Sequence, residues 1–337
     1  MKRRFCALAL AGAGLSASPA LGQVYGWDGG GGDSSWSTDA NWRNDTEPPQ
    51  TGSHDVNIKA SNLVGGSPQQ VADWDYGSTG SCGTIEVVSN GTYAITWKKS
   101  GSGAFSVSST ATFTGADSTH KTTLDADAAL TLPGVKVESY VVLDVASSVT
   151  VDANGALALD ALTGYTECEK IGSGSFTPDT IDIDVGDASG EAAMLIVTSG
   201  ALNAVGADPS TALHGSTSVD IEATLRVAGG TCDPGDLILY GGNSTSREAV
   251  LEYASGTLTA PDTLSMYGYS RIDADESFDV DGDFTVGVAG GDTFATDVTV
   301  DIASLKSIEA AAVVIGDDTY ACTLRLTGTG VLETNNN

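Results

Sequence analysis

Short runs in which every second residue is aliphatic recur along the chain, and each ends on a glycine. They are Ile183-Asp184-Val185-Gly186, Leu237-Ile238-Leu239-Tyr240-Gly241, Leu264-Ser265-Met266-Tyr267-Gly268, Phe284-Thr285-Val286-Gly287 and Val313-Val314-Ile315-Gly316, with Leu213-His214-Gly215 a shorter copy. Their glycines follow one another at 29, 26, 27, 19 and 29 residues. A second signature lies between them, at Val88-Ser89-Asn90-Gly91-Thr92-Tyr93, Val197-Thr198-Ser199-Gly200-Ala201-Leu202 and Tyr253-Ala254-Ser255-Gly256-Thr257-Leu258. Asn154-Gly155-Ala156-Leu157 and Gly330-Val331-Leu332 are looser versions.

Alternation with a period of two is that of a strand with one buried side, and a glycine at its end permits a corner with positive φ. One such unit cannot bury its apolar side alone, whereas stacked copies can. The pattern predicts an all-β chain whose residues 101–337 form a right-handed parallel β-helix. Coils of roughly 26 residues at the inter-strand spacing of about 4.8 Å give about nine coils and a rod near ~45 Å long. Tandem antiparallel β-sandwiches, which also combine short strands with regular turns, are the alternative.

Residues 23–100 have a different character. All the tryptophans, Trp27, Trp36, Trp42, Trp74 and Trp97, fall there, with Gly29 to Gly32 and Pro48-Pro49. The segment predicts a bulky cap that covers the strand edges and apolar side chains at the open end of a solenoid. The other reading of the same residues is a carbohydrate-binding platform on which Trp27, Trp36 and Trp42 stack against sugar rings.

The order Trp27, Trp36, Asn41-Trp42, Pro48-Pro49 and Asp55-Val56-Asn57-Ile58 resembles the opening segment of bacterial exported β-solenoid proteins with autotransporter-passenger-like repeats. Turns such as Gly186-Asp187-Ala188-Ser189-Gly190 and Gly316-Asp317-Asp318 are similar too. The resemblance implies a surface or extracellular structural role and transfers no catalytic residue. The expectation is that the chain departs from autotransporters proper, in which a membrane barrel follows the repeats. Leu324-Arg325-Leu326 and Gly330-Val331-Leu332 keep the repeat until just before Asn335-Asn336-Asn337. The expectation is therefore that the natural coding region continues beyond this point, or that another copy or a partner covers this end.

Residues 1–22 read as a secretory signal: Lys2, Arg3 and Arg4, an apolar run from Phe5 to Leu15, and Ala20-Leu21-Gly22 before Gln23. The apolar run is too short to span a bilayer, so the expected product is secreted or displayed at the cell surface. Its removal takes the formal charge from −29 to −32. A surface of that sign repels phosphate and excludes nucleic acid and anionic membranes as partners. A cell-surface glycan or a second copy of the chain remains as partner. With 41% hydrophobic residues the chain can bury a core and is not disordered. Cys82, Cys168, Cys232 and Cys322 are spaced unlike a zinc site or a small disulfide framework. They read as small buried hydrophobes, with one or two disulfides as the alternative.

No serine has glycine at both −2 and +2, and neither a P-loop nor GxGxxG occurs. His54, His120 and His214 are isolated, and His214, in the place of Tyr240 and Tyr267, reads as a corner-packing residue. Asp182 and Asp184 flank Ile183 and point outward, about 7 Å apart by strand rise. With Asp187 they are the candidate ligands of a weak calcium site, and as a pair they fit an inverting hydrolase. The blander reading is a solvated outer face. Asp279-Val280-Asp281-Gly282-Asp283 fails the EF-hand pattern, because the position needing a bidentate glutamate is Val288. Beyond Lys170 the only bases are Arg226, Arg247, Arg271, Lys306 and Arg325. That is too few to hold an acidic polysaccharide for a lyase. The two function classes are thus a non-catalytic structural or adhesive rod and a β-helical polysaccharide lyase or glycoside hydrolase.

Overall fold

The structure, a computed structural model, describes residues 23–65, 68–160, 165–185, 192–214, 222–242, 244, 246–287, 296–316 and 322–334. The secretory signal and Asp187 lie outside the described residues. The protein is nearly all β, with 61% of residues in strands, and its coils stack as a parallel β-solenoid of about nine turns. Among the described residues the only helical elements are two 3-10 turns, Asp39–Asn41 and Ala60–Asn62. The strand ladders are parallel, so the sandwich alternative falls.

Each coil contributes to three columns. The first column runs from Val71–Trp74 through Ile95–Lys99, Thr122–Ala126, Val141–Val145, Tyr165–Ile171 and Ala192–Val197 to Thr296–Ile302 and Cys322–Gly328. The chain then turns a corner into the short second column, where Leu202 lies between Phe176 and Cys232. A bend leads to the third column, which takes in Val24–Trp27, Asp55–Lys59, Ser210–His214, Asp236–Tyr240 and Leu264–Tyr267.

The first repeat signature is the third column. Ile183, Leu213, Leu239, Met266, Val286 and Ile315 occupy one inward row in direct register. The side chains from Ile183 to Val286 in that row are buried, each worth about 1.5–3 kcal/mol of transfer free energy. The second signature forms the corner after the first column at 197–202 and 253–258. Its copy at 88–93 follows the third column instead, and the one at 154–157 lies inside strand Thr150–Asp160. Similar letters serve different corners because both simply mark a strand end followed by a tight bend.

The columns run without interruption through residue 100. Asp55–Lys59 stacks on 84–88, and that on 110–114. The Trp-rich segment therefore builds coils of its own besides closing the end. Its rings form one cluster: Trp36 lies 4.7 Å from Trp42, 5.4 Å from Trp74 and 6.0 Å from Phe105. Trp27 meets Trp42 edge-on at 5.2 Å. At the opposite end Leu326 continues the inward row of Val300 yet is 56% exposed, because no described coil stacks on its far side.

Cys82, Cys168 and Cys232 are buried thiols, and no disulfide forms among the described residues. Burial pushes Cys82 and Cys232 up to about 12 and Cys168 up as well. These three act as core residues as expected, whereas Cys322, read the same way, is only half-buried on the last described first-column strand.

Two cations lie in the interior, Lys99 in the row of Trp74 and Ala126 and Lys170 in a neighbouring one. Lys170 stands between Leu143 and Val197, wholly buried. Its ammonium donates to the carbonyls of Ile171 at 2.6 Å, Gly172 at 3.2 Å and Ser199 at 3.3 Å. Burial lowers its pKa to about 8, partly opposed by the carboxylate of Asp144. A folded-state pKa below the ordinary 10.5 means that the unfolded chain binds more protons between those two values. In that window Lys170 makes stability rise with pH, and below about 8 its cost is constant. The buried thiols and phenols act in the opposite sense, but they are common to wild type and a Lys170→Met variant and cancel in the difference. Denaturant titrations are expected to show the stability of wild type relative to Lys170→Met increasing from pH 8 to 10.5. A flat difference would mean that the amine is solvated.

Candidate functional site

The outward rows of the third column collect the chemistry. Val137 pairs with Phe113 and Leu159, so Glu138 and Asp160 are neighbours on the following outward position. Asp160 pairs in turn with Asp184, Asp184 with His214, His214 with Tyr240 and Tyr240 with Tyr267. Parallel in-register stacking converts an outward position repeated once per coil into a straight row.

At one end of this row the aromatic rings stack. His214 and Tyr240 have centroids 4.9 Å apart and planes 13° from parallel, and Tyr240 and Tyr267 are 5.1 Å and 12° apart. The rings thus follow the coil rise. His214 packs at a corner as the sequence suggested, but on the outer surface, with 39% of its side chain exposed.

At the other end Glu138 and Asp160 line a groove with Thr114, Gly115, Ala116 and Ser139. Ser139 holds φ at +104°, a strained conformation for a residue with a side chain. Lys136 joins the two carboxylates, 2.8 Å from Glu138 and 3.2 Å from Asp160.

Asp182 lies one outward position from this row, with Ile181 and Ile183 buried on either side of it. Its Oδ1 is 3.5 Å from His214 Nε2 and has no hydrogen-bond partner. Burial raises its pKa above the ordinary carboxylate value; His214 opposes this, while Asp184 and Asp160 add to it. Asp182 and Asp184 both face outward, as expected from the alternation. Among the described residues no group of three or more His, Cys, Asp or Glu is arranged to hold a metal ion. Asp187, the third expected calcium ligand, is outside them.

Trp27, Trp36 and Trp42 are 0% exposed. Trp27 Nε1 donates to the Gln69 carbonyl at 3.0 Å and Trp42 Nε1 to the Trp36 carbonyl at 2.8 Å. No ring face of the three is open to a sugar, because the rings pack against one another at the end of the core. Half-buried aromatic rings do line up on the outer side, in the row His214, Tyr240 and Tyr267. Its signal in the sequence was the outward position after Leu213, Leu239 and Met266, filled each time by an aromatic ring.

The basic side chains are tied across coils. Lys98 meets Asp125 at 3.0 Å and Asp127 at 2.5 Å. Lys121 meets Glu167 at 2.9 Å, and Arg226 meets Glu252 at 3.6 Å. Arg271 pairs with Glu248 at 2.8 Å and with Asp273, and Lys306 pairs with Glu276. Each exposed pair contributes little to stability, about 0–1 kcal/mol, but each occupies a cation that an anionic substrate would otherwise use.

No protein-family model, no curated protein and no solved structure matches the chain.

Proposed function

We propose that the protein is a secreted or cell-surface structural and adhesive β-solenoid without catalytic activity, related in style to the passengers of exported bacterial solenoid proteins. The observation that carries this reading is the outward row from Glu138 to Tyr267, which spreads polar and aromatic groups along the rod, one per coil. Catalysis gains from convergence, with an acid, a base and oriented donors within hydrogen-bond reach of one reacting atom. A distributed row instead suits contact with an extended partner. The pinned cations point away from acidic polysaccharides in particular.

Incubation of the purified protein with neutral and acidic polysaccharides is expected to release neither reducing ends nor unsaturated products, while beads coated with it adhere to cells or glycan surfaces. Depolymerisation of any of these polymers that is lost in Asp182→Asn would overturn the reading. That outcome would favour a glycoside hydrolase, for which the raised pKa of Asp182 beside Asp184 and Asp160 is the supporting observation.

A further inference from the structure

We infer that the row Glu138, Asp160, Asp184, His214, Tyr240 and Tyr267 is the binding site for an unbranched, uncharged β-1,4-linked glycan lying along the rod axis, one sugar per coil. The inference rests on the adhesive reading above and gives it a site and a ligand class.

Three features select this ligand. The first is period. Neighbouring coils are separated by about 4.8 Å, and the ring centroids repeat at 4.9 and 5.1 Å. An extended chain of β-1,4-linked pyranoses advances by close to that distance per sugar, so each unit meets an equivalent point on the next coil. A peptide strand advances about 3.3 Å per residue and falls out of step within a few coils.

The second is chemistry. Carboxylates accept hydrogen bonds from sugar hydroxyls. Tyrosine hydroxyls and the imidazole both donate and accept. The third is charge. Glu138, Asp160 and Asp184 stand side by side, and Lys136 contacts the first two. A uronic acid polymer placed on this row meets carboxylate against carboxylate, which disfavours binding.

The row is also a built surface. The ring planes are held by mutual stacking, and Asp160 and Asp184 end strands in which their neighbours Leu159 and Ile183 are buried.

The test is calorimetric titration of the full chain with cellohexaose, N-acetylchitohexaose, a fully deacetylated chitohexaose and a hexagalacturonate. At least one neutral hexamer is expected to bind, more tightly than its dimer, with no measurable binding of the galacturonate. Tyr240→Ala and Tyr267→Ala are each expected to weaken binding about tenfold, the equivalent of one hydrogen bond with its stacking contact. Tyr267→Phe, which keeps the stack and removes the hydroxyl, should lie between them and wild type. Asp160→Asn with Asp184→Asn should weaken it further, while Asp279→Asn and Glu309→Gln on another face leave it unchanged.

Neutral hexamers that do not bind, or that bind equally to the tyrosine variants, overturn the inference. So does binding confined to the cationic hexamer, abolished by salt and indifferent to these substitutions, since that is attraction to the whole acidic surface. If beads still adhere to cells while no hexamer binds, the adhesive reading stands and this site falls. If a hexamer binds at the row and is cleaved, the site stands and the non-catalytic reading falls.

Discussion

Replacing Trp36 with alanine is expected to destabilise the protein by about 3–5 kcal/mol, the range for truncating a buried large aromatic side chain. Trp36 is 0% exposed and touches Trp42, Trp74 and Phe105, so its removal opens a cavity shared by several coils. Its backbone is also fixed: the N–H donates to the Asp73 carbonyl at 2.9 Å, and the carbonyl accepts from Trp42 Nε1 at 2.8 Å. The surrounding structure therefore cannot collapse freely into the space. Trp36 Nε1 itself has no partner, so Trp36→Phe loses volume but no hydrogen bond and should cost only about 1–2 kcal/mol. Trp42→Phe should cost more than Trp36→Phe, because it removes a donor from a buried carbonyl. Denaturant midpoints for the three variants measure this order. A Trp36→Ala protein within about 1 kcal/mol of wild type would show that the ring cluster adds little to the solenoid end.

Gly200→Ala carries the second large effect, about 2–4 kcal/mol of destabilisation from a strained conformation plus overpacking. Gly200 turns the corner between the first and second columns with φ at +68°. A Cβ there would lie 2.3 Å from the Gly172 carbonyl oxygen, 2.4 Å from that of Gly174 and 2.8 Å from Lys170 Nζ. The first two are backbone atoms of the preceding coil and cannot move aside without shifting it. Gly91, in the same sequence signature, is the control: its Cβ would meet nothing within 4 Å. Gly91→Ala is expected to be neutral or slightly stabilising, by up to about 1 kcal/mol through the unfolded chain. Equal thermal midpoints for the two alanine variants would show that the corner at 200 tolerates a side chain.

These two positions also mark how far the sequence could be read. Alternation of aliphatic residues with a closing glycine pointed to stacked coils, because a period of two fixes which side is buried and a repeated unit needs a neighbour to bury it, but it left the sandwich alternative open until the parallel ladders removed it. The same alternation placed Asp182 and Asp184 on the outer surface. Lys170 was not read as an interior residue, although Thr166, Cys168 and Lys170 alternate along one strand. Its three backbone acceptors appear only when consecutive coils bring Ser199 beside Gly172.

What the tertiary structure alone decided is whatever depends on register between coils. The signatures at 88–93 and 197–202 read alike, yet one glycine faces open space and the other a wall of carbonyls. The tryptophans had both an interior and a surface reading until the coils at residues 71–107 closed over them. His214, Tyr240 and Tyr267 are separated by 26 and 27 residues in the chain and by 4.9 and 5.1 Å in space. Sequence periodicity supplied the direction in which each ring points; only the parallel stacking of Ser210–His214, Asp236–Tyr240 and Leu264–Tyr267 set the rings face to face and carried their row on to Asp184, Asp160 and Glu138.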